Sequence, residues 1–376
     1  MLDVSRLIWR RWVGLQPTGI DRVCLAYLGE FAGRSRAVIQ YHGYRRILDR
    51  QRSAWLFDLV RNPAPNFRRQ LVLGLARSVL SRKESGNGQL YLNLGHTGLD
   101  QDGLAAWVDE TGVRPVYFVH DLIPITHPQF CRSGELDKHR RRMLTVLETA
   151  TGIIGNSQAT LDDLATFAEV EGRPMPTSIA AWLGSDQPVV ERDSPGAEPA
   201  FVALGTIEAR KNHMMLLDLW AALVERLGPT APRLLLIGQR GWKCDDVFDR
   251  LAHDGRLAGK VVELNHCSDT EAFRHLTGAR ALLFPSLAEG FGLPLVEALA
   301  IGTPVIASDL PVFREIGQGV PELLDPGAVG EWNDAIMAYS DLDNPRRRAQ
   351  VNRLRGFVPF TWPDHFAAIG PWLAKL

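Results

Sequence analysis

The sequence predicts an α/β protein of two doubly wound domains, each a mostly parallel sheet covered by helices on both faces. Three observations carry this. The 376 residues suffice for two ordinary domains, and 45% hydrophobic with 23% charged residues describes a globular chain with sizeable cores. From Phe201 onward, short continuous apolar runs alternate with amphipathic helical patterns. The first half repeats this alternation more loosely, and a Pro- and Gly-rich stretch separates the two halves.

Taken in order, LDVSRLI reads as a strand and TGIDRVCLAYLGEFA as the helix after it. AVIQYHG, LYLNLG, PVYFVHD and TGIIGNS follow as strands, and TSIAAWL is the last of this half. The first domain is expected over residues 1–190, with the linker near 186–199. In the second, residues 191–356, FVALGT, RLLLIG, KVVELN, RALLFPS and TPVIASD are strands. Between them HMMLLDLWAALVERLG, CDDVFDRLAHDG, DTEAFRHLTGA and PLVEALAIG carry helical periodicity. Residues 357–376, with FTWPDHFAAIGPWLAKL, read as a terminal helix docked by its aromatics, free to pack back on the first domain. Two similar α/β domains with a cleft between them place the ligand at the carboxyl ends of the strands.

The bulk charge excludes little by itself. Formal net charge is -1, so no global attraction to nucleic acid is expected. The distribution is uneven: residues 1–90 hold 16 Lys/Arg against 6 Asp/Glu, and the remainder 26 against 37. An anionic partner or surface for the first domain follows from that excess. The stretch 61–83, RNPAPNFRRQLVLGLARSVLSRK, combines Phe67, Leu71, Leu75, Val79 and Leu80 with Arg68, Arg69, Arg77, Arg82 and Lys83. It fits either an ordinary amphipathic core helix or an interfacial helix on anionic lipid. Four cysteines without a C-x-x-C pair fit a reducing compartment, and no apolar stretch has the length of a signal peptide core or a membrane span. The expectation is a cytoplasmic protein, or one attached peripherally to a membrane.

The chemistry concentrates in SLAEGFGLPLVEALAIGTPVIASD, residues 286–309. Glu289 follows an apolar strand, and Gly290, Phe291, Gly292 and Leu293 make a turn into a helix that Pro294 opens. A helix start offers free N–H groups and partial positive charge to a phosphate. Glu297 lies one turn further in. Either acid alone could simply complement the helix dipole, worth about 0.3–1 kcal/mol without any function. Two acids bracketing such a turn suit a ligand with phosphates for the amides and hydroxyls for the carboxylates. A nucleotide sugar is such a ligand.

This stretch resembles the C-terminal signature of the family-4 retaining glycosyltransferases of the GT-B fold, whose Glu-x7-Glu motif is matched by Glu289 and Glu297. LGTIEARKN, residues 204–212, is similar to the family's phosphate-binding segment. PTGIDRV, FVHDLIP and GNSQATLDDL resemble first-domain landmarks of bacterial polysaccharide mannosyltransferase-like members. The resemblance implies two Rossmann-like domains with an interdomain cleft. It implies that Glu297 holds ribose hydroxyls and that Glu289 bonds a donor-sugar hydroxyl, with the amides of Gly290 to Leu293 beside it. Arg210 and Lys211 would neutralise the departing diphosphate. Where many members carry an arginine, this chain has Thr206. Gly19 would face the phosphates, although Thr18 equally fits a plain helix N-cap. His120 would touch the donor sugar near the reacting carbon, with Asp121 as its orienter. Asn156 and Ser157 could equally be a helix cap.

The expected activity is retaining, metal-independent hexosyl transfer, first to be tried with GDP-mannose and then with a UDP-hexose, onto a lipid-linked polysaccharide or oligosaccharide. No cofactor is expected and no nucleic acid partner. Asp341-Leu342-Asp343 has the spelling of a metal motif but reads as a helix-end turn. A nucleotide-sugar epimerase or phosphorylase of the same architecture, or a non-catalytic sugar-nucleotide binding subunit, are the rival readings.

Overall fold

The computed structural model describes residues 1–15, 18–79, 84–185 and 198–376, with only the backbone for 77–79. Most of the expected linker and the readings on Leu80, Arg82 and Lys83 lie outside the described residues. The chain divides into two compact units. One comprises Met1–Leu122, Leu136–Trp182 and His365–Leu376, the other Ile123–Glu135 and Leu183–Asp364.

Among the described residues the first unit is built on seven strands: β1 (Leu2–Asp3), β2 (Ala37–Tyr41), β3 (Tyr44–Ile47), β4 (Leu90–Asn93), β5 (Arg114–Val119), β6 (Gly152–Gly155) and β7 (Ser178–Ala180). Their order is β3-β2-β1-β4-β5-β6-β7, and every neighbouring pair is parallel except the β2–β3 hairpin. Val116 to Val119, Ile153 and Ile154 are buried, which is why the central strands read as unbroken apolar runs. The hairpin turns on His42 and Gly43, both at positive φ, the conformation a two-residue connection requires. Its second strand, YRRI, is too polar to stand out in the sequence.

One expected strand is mostly helix. β1 ends after Asp3, and LDVSRLI continues into a helix over Ser5–Val13. The cause is local: Asp3 Oδ1 accepts from the Ser5 amide at 2.9 Å, and Gly14 closes the helix in the left-handed conformation.

The second unit holds β8 (Ala200–Leu204), β9 (Arg233–Ile237), β10 (Val261–Leu264), β11 (Leu282–Phe284), β12 (Val305–Ser308) and β13 (Glu322–Leu324), all parallel, in the order β10-β9-β8-β11-β12-β13. The direction of strand addition reverses at β8, whose neighbours are β9 and β11. That is the topological switch point where such sheets bind ligands. Trp220 and Trp332 are fully buried, and each indole N–H donates to a main-chain carbonyl, Pro232 at 2.8 Å and Asp325 at 2.9 Å.

The division differs from the expected boundaries in two places. Ile123–Glu135 belongs to the second unit, because Trp242 Nε1 donates to Phe130 O (3.1 Å), Lys243 Nζ donates to Gln129 O (2.9 Å) and Arg132 stacks on Trp242. The second unit also runs on to Asp364, the Ser185 amide donating to Phe360 O and Gln318 to Val358 O. Beyond it, His365 is buried against the first unit, hydrogen-bonded to Tyr27 Oη and Trp182 O at 2.8 Å each. Trp372 lies over Gly152, leaving no room for a side chain there. Among the described residues no helix is long and apolar enough to cross a membrane.

Candidate active site

At the switch point β8 and β11 lie side by side, paired through Val202 and Leu282. Beyond β8 come Gly205, the exposed Thr206, a short 3-10 turn over Ala209–Lys211 and the helix His213–Leu227. Beyond β11 the chain runs through Ser286 and Glu289 to the helix Leu293–Ala300, with Pro294 in its first turn. The two loops are joined by main chain, the Leu287 amide donating to Arg210 O at 2.7 Å. Gly292 caps the helix at φ +105°, and a Cβ there would sit 2.6 Å from the Phe313 ring. Glycine is therefore required twice over, by conformation and by space.

The side chains of these loops converge on Glu289. Its Oε1 accepts from Lys211 Nζ at 2.5 Å, from Arg210 Nη1 at 2.7 Å and from Ser286 Oγ at 2.9 Å. Arg210 also donates through Nη1 to Ala288 O (2.9 Å) and through Nη2 to Glu208 Oε1 (2.6 Å). Lys211 Nζ lies 4.3 Å from the centre of the Phe284 ring. Burial alone would raise the Glu289 carboxyl, but Arg210 and Lys211 outweigh it and hold the group down at about 2. Glu208, 4% exposed, is raised by burial against the opposing pull of Arg210 and Lys211. Glu297 is buried one turn into the helix. Phe291 is buried, and Gly290 and Leu293 are half-buried at the helix start. The arrangement sets two cations among two carboxylates, Glu208 and Glu289, on loops of which one leads into a helix N-terminus, a combination that suits a diphosphate with attached hydroxyls.

Comparison with known proteins identifies the chain. Residues 189–353 match the family described as glycosyl transferases group 1. The serotype-specific mannosyltransferase WbdA of Escherichia coli is 32% identical over 228 residues, 55% of this chain. The matched region is 27% of WbdA, so the chain spans about a quarter of that relative's length. The O-antigen chain mannosyltransferase B of Escherichia coli is 30% identical over 261 residues, 67% of this chain and 68% of that protein. The chain belongs to the group 1 glycosyl transferases. The crystal structure of Anabaena HepE in complex with UDP superposes with a TM-score of 0.68 at 17% identity, covering 100% of this chain and 99% of that one. That likeness carries the fold, which is GT-B.

In this glycosyl transferase family member His120 and Gly19 belong to the first unit, while Thr206, Arg210, Lys211, Glu289 to Leu293 and Glu297 belong to the second. His120 follows β5, is buried, and donates from Nε2 to Leu94 O at 2.7 Å. Burial lowers its pKa to about 4, so at neutral pH the ring is uncharged with Nδ1 as its acceptor. Asn156 Nδ2 donates to His120 O at 2.8 Å, and Ser157 caps the following helix through the Thr160 amide. Gly19 is the exposed first residue of the helix Gly19–Phe31, and Thr18 forms a capping box with Asp21. Asp341-x-Asp343 is a turn between helices, the Asp343 amide donating to Asp341 Oδ1 at 3.0 Å.

Four residues escaped the sequence reading. Glu208 and Ser286 complete the charged cluster, and nothing in their spacing announces it. The His96 ring lies 5.3 Å from that of His120 and 5.7 Å from that of His139, and His96 and His139 donate from Nε2 to Phe118 O (2.8 Å) and Asp121 O (3.0 Å). His96 has a sequence signal: LYLNLGH repeats the apolar run closed by histidine of PVYFVH.

Proposed function

We propose that this chain transfers a hexose from a nucleoside diphosphate sugar to a saccharide acceptor, retaining the anomeric configuration and needing no metal ion. The observation that carries this reading is the clustering of Arg210 and Lys211 on Glu289, four residues ahead of the Leu293–Ala300 helix. Those groups suit the charge that develops on a departing diphosphate. Glu297 takes the ribose hydroxyls and Glu289 a sugar hydroxyl. His120, in the first unit, offers its neutral Nδ1 to a sugar hydroxyl. The acceptor oxygen forms its bond to the anomeric carbon on the face from which the diphosphate leaves, and its proton passes to a departing phosphate oxygen. Replacing both Glu289 and Lys211 with alanine is expected to abolish turnover. An inverted product, read by NMR of the new linkage, would sink the mechanism, and loss of turnover in chelator its metal independence.

GDP-mannose is the first donor to try, because the relatives are named mannosyltransferases. A UDP-hexose is the second reading, favoured by the solved HepE complex with UDP-glucose. Thermal-shift measurements with GDP, UDP and their sugars separate the two. An epimerase would consume the donor without acceptor.

The acceptor in this reading is lipid-linked, and the first unit supports contact with an anionic membrane surface on the cytoplasmic side. Phe67 and Leu71 of the helix Phe67–Val79 turn inward, but Val72 and Leu73 are exposed beside Arg68 and Arg69. The helix Ser5–Val13 adds exposed Trp9 and Trp12, with Arg68 stacked on Trp12. Tryptophan and arginine on one face suit a lipid headgroup layer. Flotation with phosphatidylglycerol vesicles, absent with phosphatidylcholine alone, is the expected result.

A further inference from the structure

The cluster around Glu289 is electrically complete before any ligand arrives. Two carboxylates, Glu208 and Glu289, face two cations, Arg210 and Lys211, and Oε1 of Glu289 is saturated by three donors. All four side chains are largely buried, Lys211 at 9% and Glu289 at 7% exposed. A diphosphate adds further negative charge to this group. Placed beside an intact Glu289 pair it would meet cations already engaged and a like charge in a weakly screened site.

We infer that Glu289 is a resident counter-anion, which a nucleoside diphosphate must displace from Arg210 and Lys211 in order to bind. The inference rests on the function proposed above and deepens it. In the exchange both cations turn from Glu289 Oε1 to phosphate oxygens, and the freed carboxylate accepts the sugar's hydroxyl. After transfer the sugar is gone, Glu289 returns to its cations, and the diphosphate is driven out. Glu289 thus favours sugar-bearing donor over bare product.

A merely orienting role for Glu289 predicts the opposite effect on product affinity, and the geometry speaks against it. Arg210 is anchored without Glu289, by Glu208 Oε1 and by Ala288 O. Lys211 rests on the Phe284 ring. Removing the Glu289 charge therefore leaves both cations in position and available. Glu208 differs from its partner: it is buried, its Oε1 holds the Arg210 guanidinium and its Oε2 has no hydrogen-bond partner, so it serves as the fixed side of the clamp.

The test is calorimetric titration of GDP and UDP into wild-type protein, Glu289→Gln, Glu289→Ala and Lys211→Ala, each checked for folding by thermal melting. Both Glu289 variants are expected to bind the preferred diphosphate about threefold to tenfold more tightly while transferring sugar more slowly. Lys211→Ala is expected to bind it at least about tenfold more weakly. Unchanged or weaker binding in the folded Glu289 variants, with Lys211→Ala impaired, overturns the exchange and leaves the proposed function standing. Unaltered affinity in Lys211→Ala removes the diphosphate site itself, and the inference with it.

Discussion

The two units present opposite electrostatics at the carboxyl edges of similar sheets. In the first, His96, His120 and His139 are buried imidazoles tied by Nε2 to main-chain carbonyls, with ring centres of His96 and His120 5.3 Å apart. In the second, Arg210, Lys211, Glu208 and Glu289 form a buried ionic cluster. His96 and His120 follow β4 and β5, while the loops that carry Arg210, Lys211 and Glu289 follow β8 and β11, in each case at or beside a switch point of strand order. The topology supplies a place for a ligand, and a handful of side chains decides whether that place suits hydroxyls or phosphates. A neutral acceptor such as His120 Nδ1 fits the former. Cations and helix amides fit the latter.

The sharpest way to break this contrast is Lys211→Ala, expected to lower the initial rate of transfer by about 10²- to 10³-fold through lost stabilisation of the departing phosphate. A rate near wild type would mean that the charged edge is structural. His120→Ala should cost less, about tenfold to a hundredfold in rate, with the affinity for nucleoside diphosphate unchanged. A matching loss of diphosphate affinity would place His120 with the phosphates and dissolve the division of labour.

Acid sensitivity should separate the units as well. The ordinary imidazole pKa of 6.5 falls to about 4 for His120, and burial lowers His96 and His365 too. Such groups bind protons in the unfolded chain before they do so in the folded one. Stability is therefore full above about pH 6.5 and declines as pH falls toward about 4. In the second unit only His213, also at about 4, acts this way over that window among the histidines with a resolved shift. The Glu289 contribution persists until pH falls below the usual carboxylate range, toward about 2. Hydrogen exchange at pH 7 and pH 5 should show the first unit loosening before the second. The smallest effect expected is on stability alone: Gly292→Ala should cost about 1–3 kcal/mol, from its positive φ and the Phe313 contact, lowering the melting temperature of the second unit.

The strands that are buried on both faces were legible because burial demands an unbroken apolar run. β8, β9, β11 and β12 could be read directly, as could the helix Leu293–Ala300 from Pro294 in its first turn. β3 and the helix at Ser5 were not, since a polar edge strand and a helix entered straight from a buried strand lack a distinctive period. Within the site, Glu289, Arg210 and Lys211 were legible from spacing and from position after strands. Glu208 and Ser286 were not, because a carboxylate two residues before an arginine looks like any solvated charge.

By itself, then, the sequence determined the alternation of strands and helices, the glycine-proline helix start and the pair of acids eight residues apart. These are local properties, set by backbone conformation and by the period of burial. Only the tertiary structure decided that Glu289 would find Lys211, 78 residues away in the chain, and be held ionised although buried. Pairing at that range depends on strand order, because it is the adjacency of β8 and β11 that brings the two loops together. The same holds for His96 and His120, 24 positions apart in sequence, whose rings meet only because β4 and β5 are neighbours.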